Sequence, residues 1–261
     1  MTSRRSFLGT AAVSAASLLR ANGKVPTHRA KVTKLFRSPD GHPNALESTP
    51  EGLWVGEQVT DRAHLLDWRT GKVLKTVETE SSNTSGIAYG GGYLWMAVNG
   101  KGLGRLPRPH DGSSGAILKV DPDNGRTIAR YAIPDGGGTH GVVYSKGTLW
   151  IQCFKWNVLI QVEAGTFKEL RRIPMHLGRG HGLAIDEPGI WVMHSSDFVI
   201  HKLDMNSGEI LEVVLLDPKT DPDPHGMDIY QGKLYYCDAG IAPPGVDSGS
   251  VSSGYICRID I

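Results

Sequence analysis

The sequence predicts an all-β chain folded into a five-bladed β-propeller, and three observations carry the prediction. First, a unit of about 40–55 residues recurs five times, the length of one four-stranded blade. Second, an aliphatic–aromatic pair marks each unit: Leu53-Trp54, Leu94-Trp95, Leu149-Trp150, Ile190-Trp191 and Leu234-Tyr235. Third, the last unit stops at Asp260-Ile261 without an outer strand, while Ala30 to Phe36 is a strand without a unit. The economical solution is a ring in which the early strand completes the last blade, which removes an exposed sheet edge.

Residues 1–22 read as an export signal rather than as part of the fold. Ser3-Arg4-Arg5-Ser6-Phe7-Leu8 is a paired-arginine motif, and small and apolar residues follow from Gly9 to Leu19. That pattern resembles a twin-arginine signal, an address read by the twin-arginine export machinery, with cleavage expected after Ala15 or Ala21. The expected location is periplasmic or secreted, and residues 23–261 form the single propeller domain. Each blade then reads as a short inner strand, a Gly turn, a strand opened by the aliphatic–aromatic pair, a third strand and an outer strand. The third strand ends on an acidic residue and a turn, as at Asp67 to Gly71, Asp121 to Gly125, Glu163-Ala164-Gly165 and Asp204 to Gly208. Asp67, Asp121 and Asp204 are expected to cap those turns rather than bind calcium.

Composition narrows the function. Lys and Arg number 28 against 27 Asp and Glu, so no broad field of one sign exists to attract nucleic acid. Nothing resembles a membrane span. Three cysteines, Cys153, Cys237 and Cys257, allow at most one internal disulfide and do not hold the fold together.

Chemistry-bearing residues recur in register. Nine positions before each aliphatic–aromatic pair stand Asn44, Ser85, His140, His181 and His225, at the start of the inner strand. Three consecutive blades thus carry His-Gly, and the glycine lets backbone crowd the axis. A second register, three residues past each aromatic, holds Glu57, Val98, Cys153, His194 and Asp238. This strand runs antiparallel to the first, so its end returns to the same mouth of the channel. Two long loops, Lys101 to Gly115 with His110 and Ala239 to Gly254, are expected to lie there as binding loops.

The expectation is a site in which His140, His181, His225 and His194 hold a divalent ion (Zn, Mn or Mg), as imidazoles do in open catalytic sites. His181, His225, Asp238 and Glu57 are the candidates for proton transfer, and Asn44, Ser85 and His110 for substrate contact. The bland alternative is that the histidines only pack the channel and bond to neighbouring backbone. His42, His64, His176 and His201 lie off the ring and read as surface or turn residues, Cys153 as a buried inert thiol, and the blade tryptophans as packing.

At these residues the chain resembles the streptogramin lyase (virginiamycin B lyase-like) propellers, and more loosely the SMP-30/gluconolactonase and NHL-type propellers. The likeness spans about residues 40–261 through His-Gly, a Gly turn, Leu-Trp, then a strand ending in Asp-x-x-x-Gly. It implies a metal-dependent elimination that opens a cyclic ester, with His181 or His225 transferring the proton and Asp238 or Glu57 at the acidic position. The chain departs from that family in having five blades rather than seven, in Asp238 for a glutamate, and in Gly240 for a second histidine. The expected activity is therefore a metal-dependent lyase or hydrolase of a small ester, lactone or sugar-derived substrate. A non-catalytic propeller that binds a ligand or a protein loop stands as the alternative.

Overall fold

The strands opened by the aliphatic–aromatic pairs are buried on both faces, because each blade packs between two others. A computed structural model describes residues 25–242 and 246–261; the expected export signal lies outside the described residues. The described chain opens with β1 (Thr27–Arg29) and β2 (Lys31–Arg37). Blade 1 is β3 (Pro43–Thr49), β4 (Gly52–Glu57), β5 (Arg62–Leu66) and β6 (Val73–Glu78). Blade 2 is β7 (Thr84–Gly90), β8 (Tyr93–Val98), β9 (Ala116–Val120) and β10 (Thr127–Ala132). Blade 3 is β11 (Val142–Ser145), β12 (Thr148–Cys153), β13 (Val158–Glu163) and β14 (Glu169–Pro174). Blade 4 is β15 (Gly180–Asp186), β16 (Gly189–His194), β17 (Val199–Asp204) and β18 (Ile210–Leu215). Blade 5 begins with β19 (Met227–Tyr230) and β20 (Lys233–Cys237). A small ribbon follows, β21 (Ile241–Ala242) with β22 (Val246–Asp247), before β23 (Tyr255–Asp260).

The ring closes as the sequence predicts. Sheet order in blade 5 is β19-β20-β23-β2, with Lys31 opposite Asp260 and Arg37 opposite Tyr255. One feature was not foreseen: β1 adds to blade 4 as a fifth strand, parallel to β18, with Thr27 opposite Val213. The amino-terminal segment therefore spans two blades.

Packing follows the repeat. Leu53, Leu94, Leu149 and Ile190 are fully buried, and Trp54, Trp95, Trp150 and Trp191 fill the space between blades. Asp67 accepts from the Thr70 amide at 2.8 Å, and the Gly71 amide donates to the Asp67 carbonyl at 2.9 Å. Gly71, Gly125 and Gly208 each take positive φ in this turn. Blade 3 differs: the residue at positive φ is Phe167 (+60°) rather than the glycine of Glu163-Ala164-Gly165. Its ring stacks on Tyr131 at 4.6 Å and 12°, a contact that holds a backbone conformation a bulky residue otherwise avoids. All three cysteines are free and buried, and burial raises the Cys153 thiol to about 12, so it is inert.

Candidate active site

The glycines of the His-Gly pairs set how closely the inner strands approach. A Cβ on Gly141 would clash with the His181 carbonyl, one on Gly182 with the Met227 backbone, and one on Gly226 with the Asn44–Ala45 backbone. Backbone and amide bonds lock the same positions together. Gln152 Nε2 donates to the His181 carbonyl at 2.9 Å, the Gly182 amide to the His225 carbonyl at 3.2 Å, and Asn44 Nδ2 to the Thr84 carbonyl at 3.0 Å. Just below, residues such as Leu46, Ile87, Leu183 and Met227 close the axis to a space of about 10 Å³, room for at most one water.

At this mouth the three ring histidines meet. The His140 and His181 rings lie 4.1 Å apart between centroids, tilted by 51°, and His181 and His225 4.8 Å apart, nearly perpendicular. Phe154 packs edge-on to His140 at 4.7 Å. Burial pushes His140 down to about 3 and holds His181 well below the ordinary imidazole range; Arg179 and His225 add to both shifts, and His140 to that of His181. Both are therefore neutral at neutral pH. The Nδ1 atoms of His140 and His181 are buried with no hydrogen-bond partner. His225 Nδ1 lies between the Asp223 carbonyl at 3.2 Å and the Ala239 amide at 3.5 Å. Asn44 and Ser85 complete the ring, both fully buried; Ser85 Oγ accepts from Asn99 Nδ2 at 2.9 Å.

Glu57 sits at the seam of blades 1 and 5, with no exposed surface. Its Oε2 accepts from the His42 amide at 2.8 Å, while Oε1 is buried without a partner. Burial dominates and raises its pKa to about 7. His42, assigned by sequence to the surface, is part of this seam: its Nδ1 donates to the Ala239 carbonyl at 2.9 Å, next to His225.

The second register separates. Val98 and Cys153 lie in the cores between blades. His194 turns away from the ring into a pair with His201 (4.9 Å, T-shaped), with His176 beyond at 6.3 Å. His201 and His64 are buried rather than surface residues. Burial lowers His194 to about 4 and His201 to about 3. Asp238 is fully buried and engaged: it accepts from the Gly240 amide (2.8 Å), Ser250 Oγ (2.7 Å) and the Asp223 amide (3.2 Å). Its observed work is to organise the 239–254 loop. His110 stays exposed on its own loop. That loop is held by Arg105, whose guanidinium bridges buried Asp61 (2.6 Å) and Asp111 (2.6 Å).

Sequence reasoning missed two groups that the same register would have supplied. Two residues before the ring positions stand His42, Asn83, Gly138, Arg179 and Asp223. Arg179 and Asp223 are half-buried, and the Arg179 charge acts on both His140 and His181.

The imidazoles have the right chemistry for zinc or manganese, but they pack ring against ring. Among the described residues no group of three or more His, Cys, Asp or Glu side chains is arranged to hold a metal ion. In this arrangement the ring does not fit a three-ligand metal site. Elsewhere, a concavity of about 430 Å³ opens near Trp150, Arg171, Pro188 and Met205, away from these titratable groups.

No family model matches the sequence, and no curated protein matches it. Solved structures do resemble the fold. Glutaminyl cyclase of Myxococcus xanthus superposes with a TM-score of 0.65 at 11% identity, over 91% of this chain and 98% of that one. A catalytically inactive variant of virginiamycin B lyase from Staphylococcus aureus, solved with quinupristin, gives 0.50 at 17% identity, over 87% of this chain and 68% of that one. The likeness is one of fold: the chain is a five-bladed β-propeller whose structural neighbours include enzymes.

Proposed function

We propose that the chain is an acid/base enzyme, a lyase or hydrolase acting on a small ester, lactone or sugar-derived substrate in the histidine-lined mouth. One observation carries the reading: Glu57, fully buried with its pKa raised to about 7, holds the His42 amide, and the His42 ring bonds the Ala239 carbonyl beside His225, in a ring where burial keeps His140 and His181 neutral. Pairs of titratable groups whose environments push them toward neutrality mark acid/base sites. His225 is the base: with its Nδ1–H donating to the Asp223 carbonyl, Nε2 is left to accept a proton from a carbon or a water. Glu57, protonated about half the time near neutral pH, supplies the proton that the leaving oxygen needs. His181 offers a neutral imidazole beside them. Asp238 acts indirectly, by holding the Asp223 amide and the 239–254 loop. No step is assigned to a metal ion.

The test is turnover of a panel of esters and lactones by the wild type, Glu57→Gln, His181→Ala and His225→Ala. The expected result is a loss of about a hundredfold or more in kcat/KM for Glu57→Gln and His225→Ala. Unchanged turnover in all three would leave a binding propeller. Elemental analysis beside His181→Ala asks the metal question separately: about one equivalent of zinc, manganese or magnesium, lost in the variant, would place an ion at the ring.

Export is part of the proposal, resting on Arg4-Arg5 and the apolar stretch behind them. Replacing both arginines by lysine is expected to leave the protein in the cytoplasm on fractionation.

A further inference from the structure

We infer that Arg179 anchors a carboxylate on the substrate, so that the mouth takes a carboxylate-bearing ester, lactone or sugar derivative in preference to a neutral one. The inference rests on the acid/base reading above for its reaction, and on Arg179 itself for its ligand.

Arg179 lies two residues before His181, at the entrance to the inner strand of blade 4, with φ at +43°. It is half-buried, and its charge acts on His140, His181 and Asp223. Among the described residues it makes one long hydrogen bond, from Nη1 to Ser196 Oγ at 3.4 Å, and has no carboxylate within ion-pair distance. Four other arginines are clamped by carboxylates. Arg105 is clamped by Asp61 and Asp111, Arg62 by Glu78 and Asp40, Arg172 by Glu169 and Arg258 by Asp260.

A guanidinium withdrawn from water normally finds an anion, because desolvating it alone is costly. Here the neighbours in the mouth are His140 and His181, kept neutral, and Asp223, which stays beyond ion-pair distance. A ligand oxyanion is the missing partner. The planar fork matches a carboxylate with two parallel hydrogen bonds. Asp223 does not fill that place: burial raises its pKa, and its side chain makes no hydrogen bond among the described residues.

The experiment titrates the full protein with sodium acetate and, separately, inorganic phosphate at constant ionic strength, following imidazole signals by NMR. Wild type is compared with Arg179→Gly and Arg179→Lys. Glycine suits a positive φ, so the first variant removes the guanidinium without straining the backbone. Acetate is expected to shift the His140 and His181 signals with millimolar affinity. Arg179→Gly is expected to weaken it at least tenfold, and Arg179→Lys to fall between. Equal acetate affinity in wild type and Arg179→Gly, or acetate binding that leaves both imidazoles unmoved, overturns the proposal. Phosphate binding as tightly as acetate overturns the choice of a carboxylate. Arg179-dependent acetate binding in a protein that turns over no ester keeps this inference and sinks the acid/base reading. Glu57-dependent turnover with unchanged kcat/KM for carboxylate-bearing substrates in Arg179→Gly does the reverse.

Discussion

A buried carboxyl beside buried imidazoles gives the protein a definite response to pH. Glu57 moves from 4.5 to about 7 on folding, so its contribution is fully present below pH 4.5 and is lost as pH rises through 7. The loss is about 3 kcal/mol when complete. The imidazoles act in the opposite sense. His201 falls from 6.5 to about 3 and His194 to about 4, so their contribution is present above pH 6.5 and lost as pH falls toward those values. Two imidazoles outweigh one carboxyl through the mildly acidic range, so stability is expected to peak near pH 7, and urea unfolding across pH measures it. In Glu57→Gln the carboxyl's loss of about 2–3 kcal/mol as pH rises to 7 is expected to disappear, while the acid decline stays. The glycines make a sharper prediction. Gly182→Ala drives a methyl into the Met227 backbone where blades 4 and 5 meet, with strand backbone on both sides and no flexible side chain to yield. The expected cost is about 2–4 kcal/mol, read as a drop in Tm. Both His-Gly glycines and histidines were legible in sequence because they recur at one position of the repeat. Arg179 and Asp223 were equally within reach, two residues upstream in the same count, but they differ in chemistry from blade to blade and so left no repeating signal.

Among the elements, the long loop between β8 and β9 shows how a binding loop is fixed. Asp61 has no exposed surface, sits at positive φ, and accepts from Thr84 at Oδ1 and from Arg105 at Oδ2. Removing Arg105 leaves that carboxylate buried and unpaired, a change that typically costs about 3–5 kcal/mol. Arg105→Ala is expected to destabilise by about that much and to raise hydrogen exchange across residues 101–115. Adding Asp61→Asn is expected to recover part of the loss, since the uncompensated charge goes with it. Length and composition identified this loop, but not the clamp: Asp61 and Arg105 are 44 positions apart and carry no shared motif. His194 shows a second limit. It shares its register with Glu57, each closing the second strand of its blade. Which way a side chain turns there depends on the twist of the blade, and β16 sends His194 to His201 and not to the ring. The turn of blade 3 misled for a similar reason, since Phe167 takes the conformation that glycine takes in blades 1, 2 and 4.

For the whole molecule, blade number and closure were readable because five like units cannot bury their faces except against one another. The parallel pairing of β1 was not: Thr27-His28-Arg29 is three residues long, exposed or half-exposed, and carries no alternation. This difference predicts the result of trimming. A chain starting at residue 30 keeps β2 and is expected to retain the ring with a modest loss in Tm. One starting at residue 38 leaves β23 as an open edge, uncovers Ile256 and Ile259, and is expected to lose cooperative thermal unfolding or to aggregate.

The pairing of Lys31–Arg37 with Tyr255–Asp260 also sets a clock on biogenesis. β2 has its partner more than two hundred positions later in the chain. Blades 1 to 4 can collapse locally as they emerge, yet the ring cannot shut until β23 has been made. For all that time the nascent chain carries two unsatisfied strand edges at once, one at each end of a growing arc. A chaperone that shields the segment around β2 would keep the closing strand available. A quality-control step that accepts only folded chains would then be reading, in effect, whether β23 had been made.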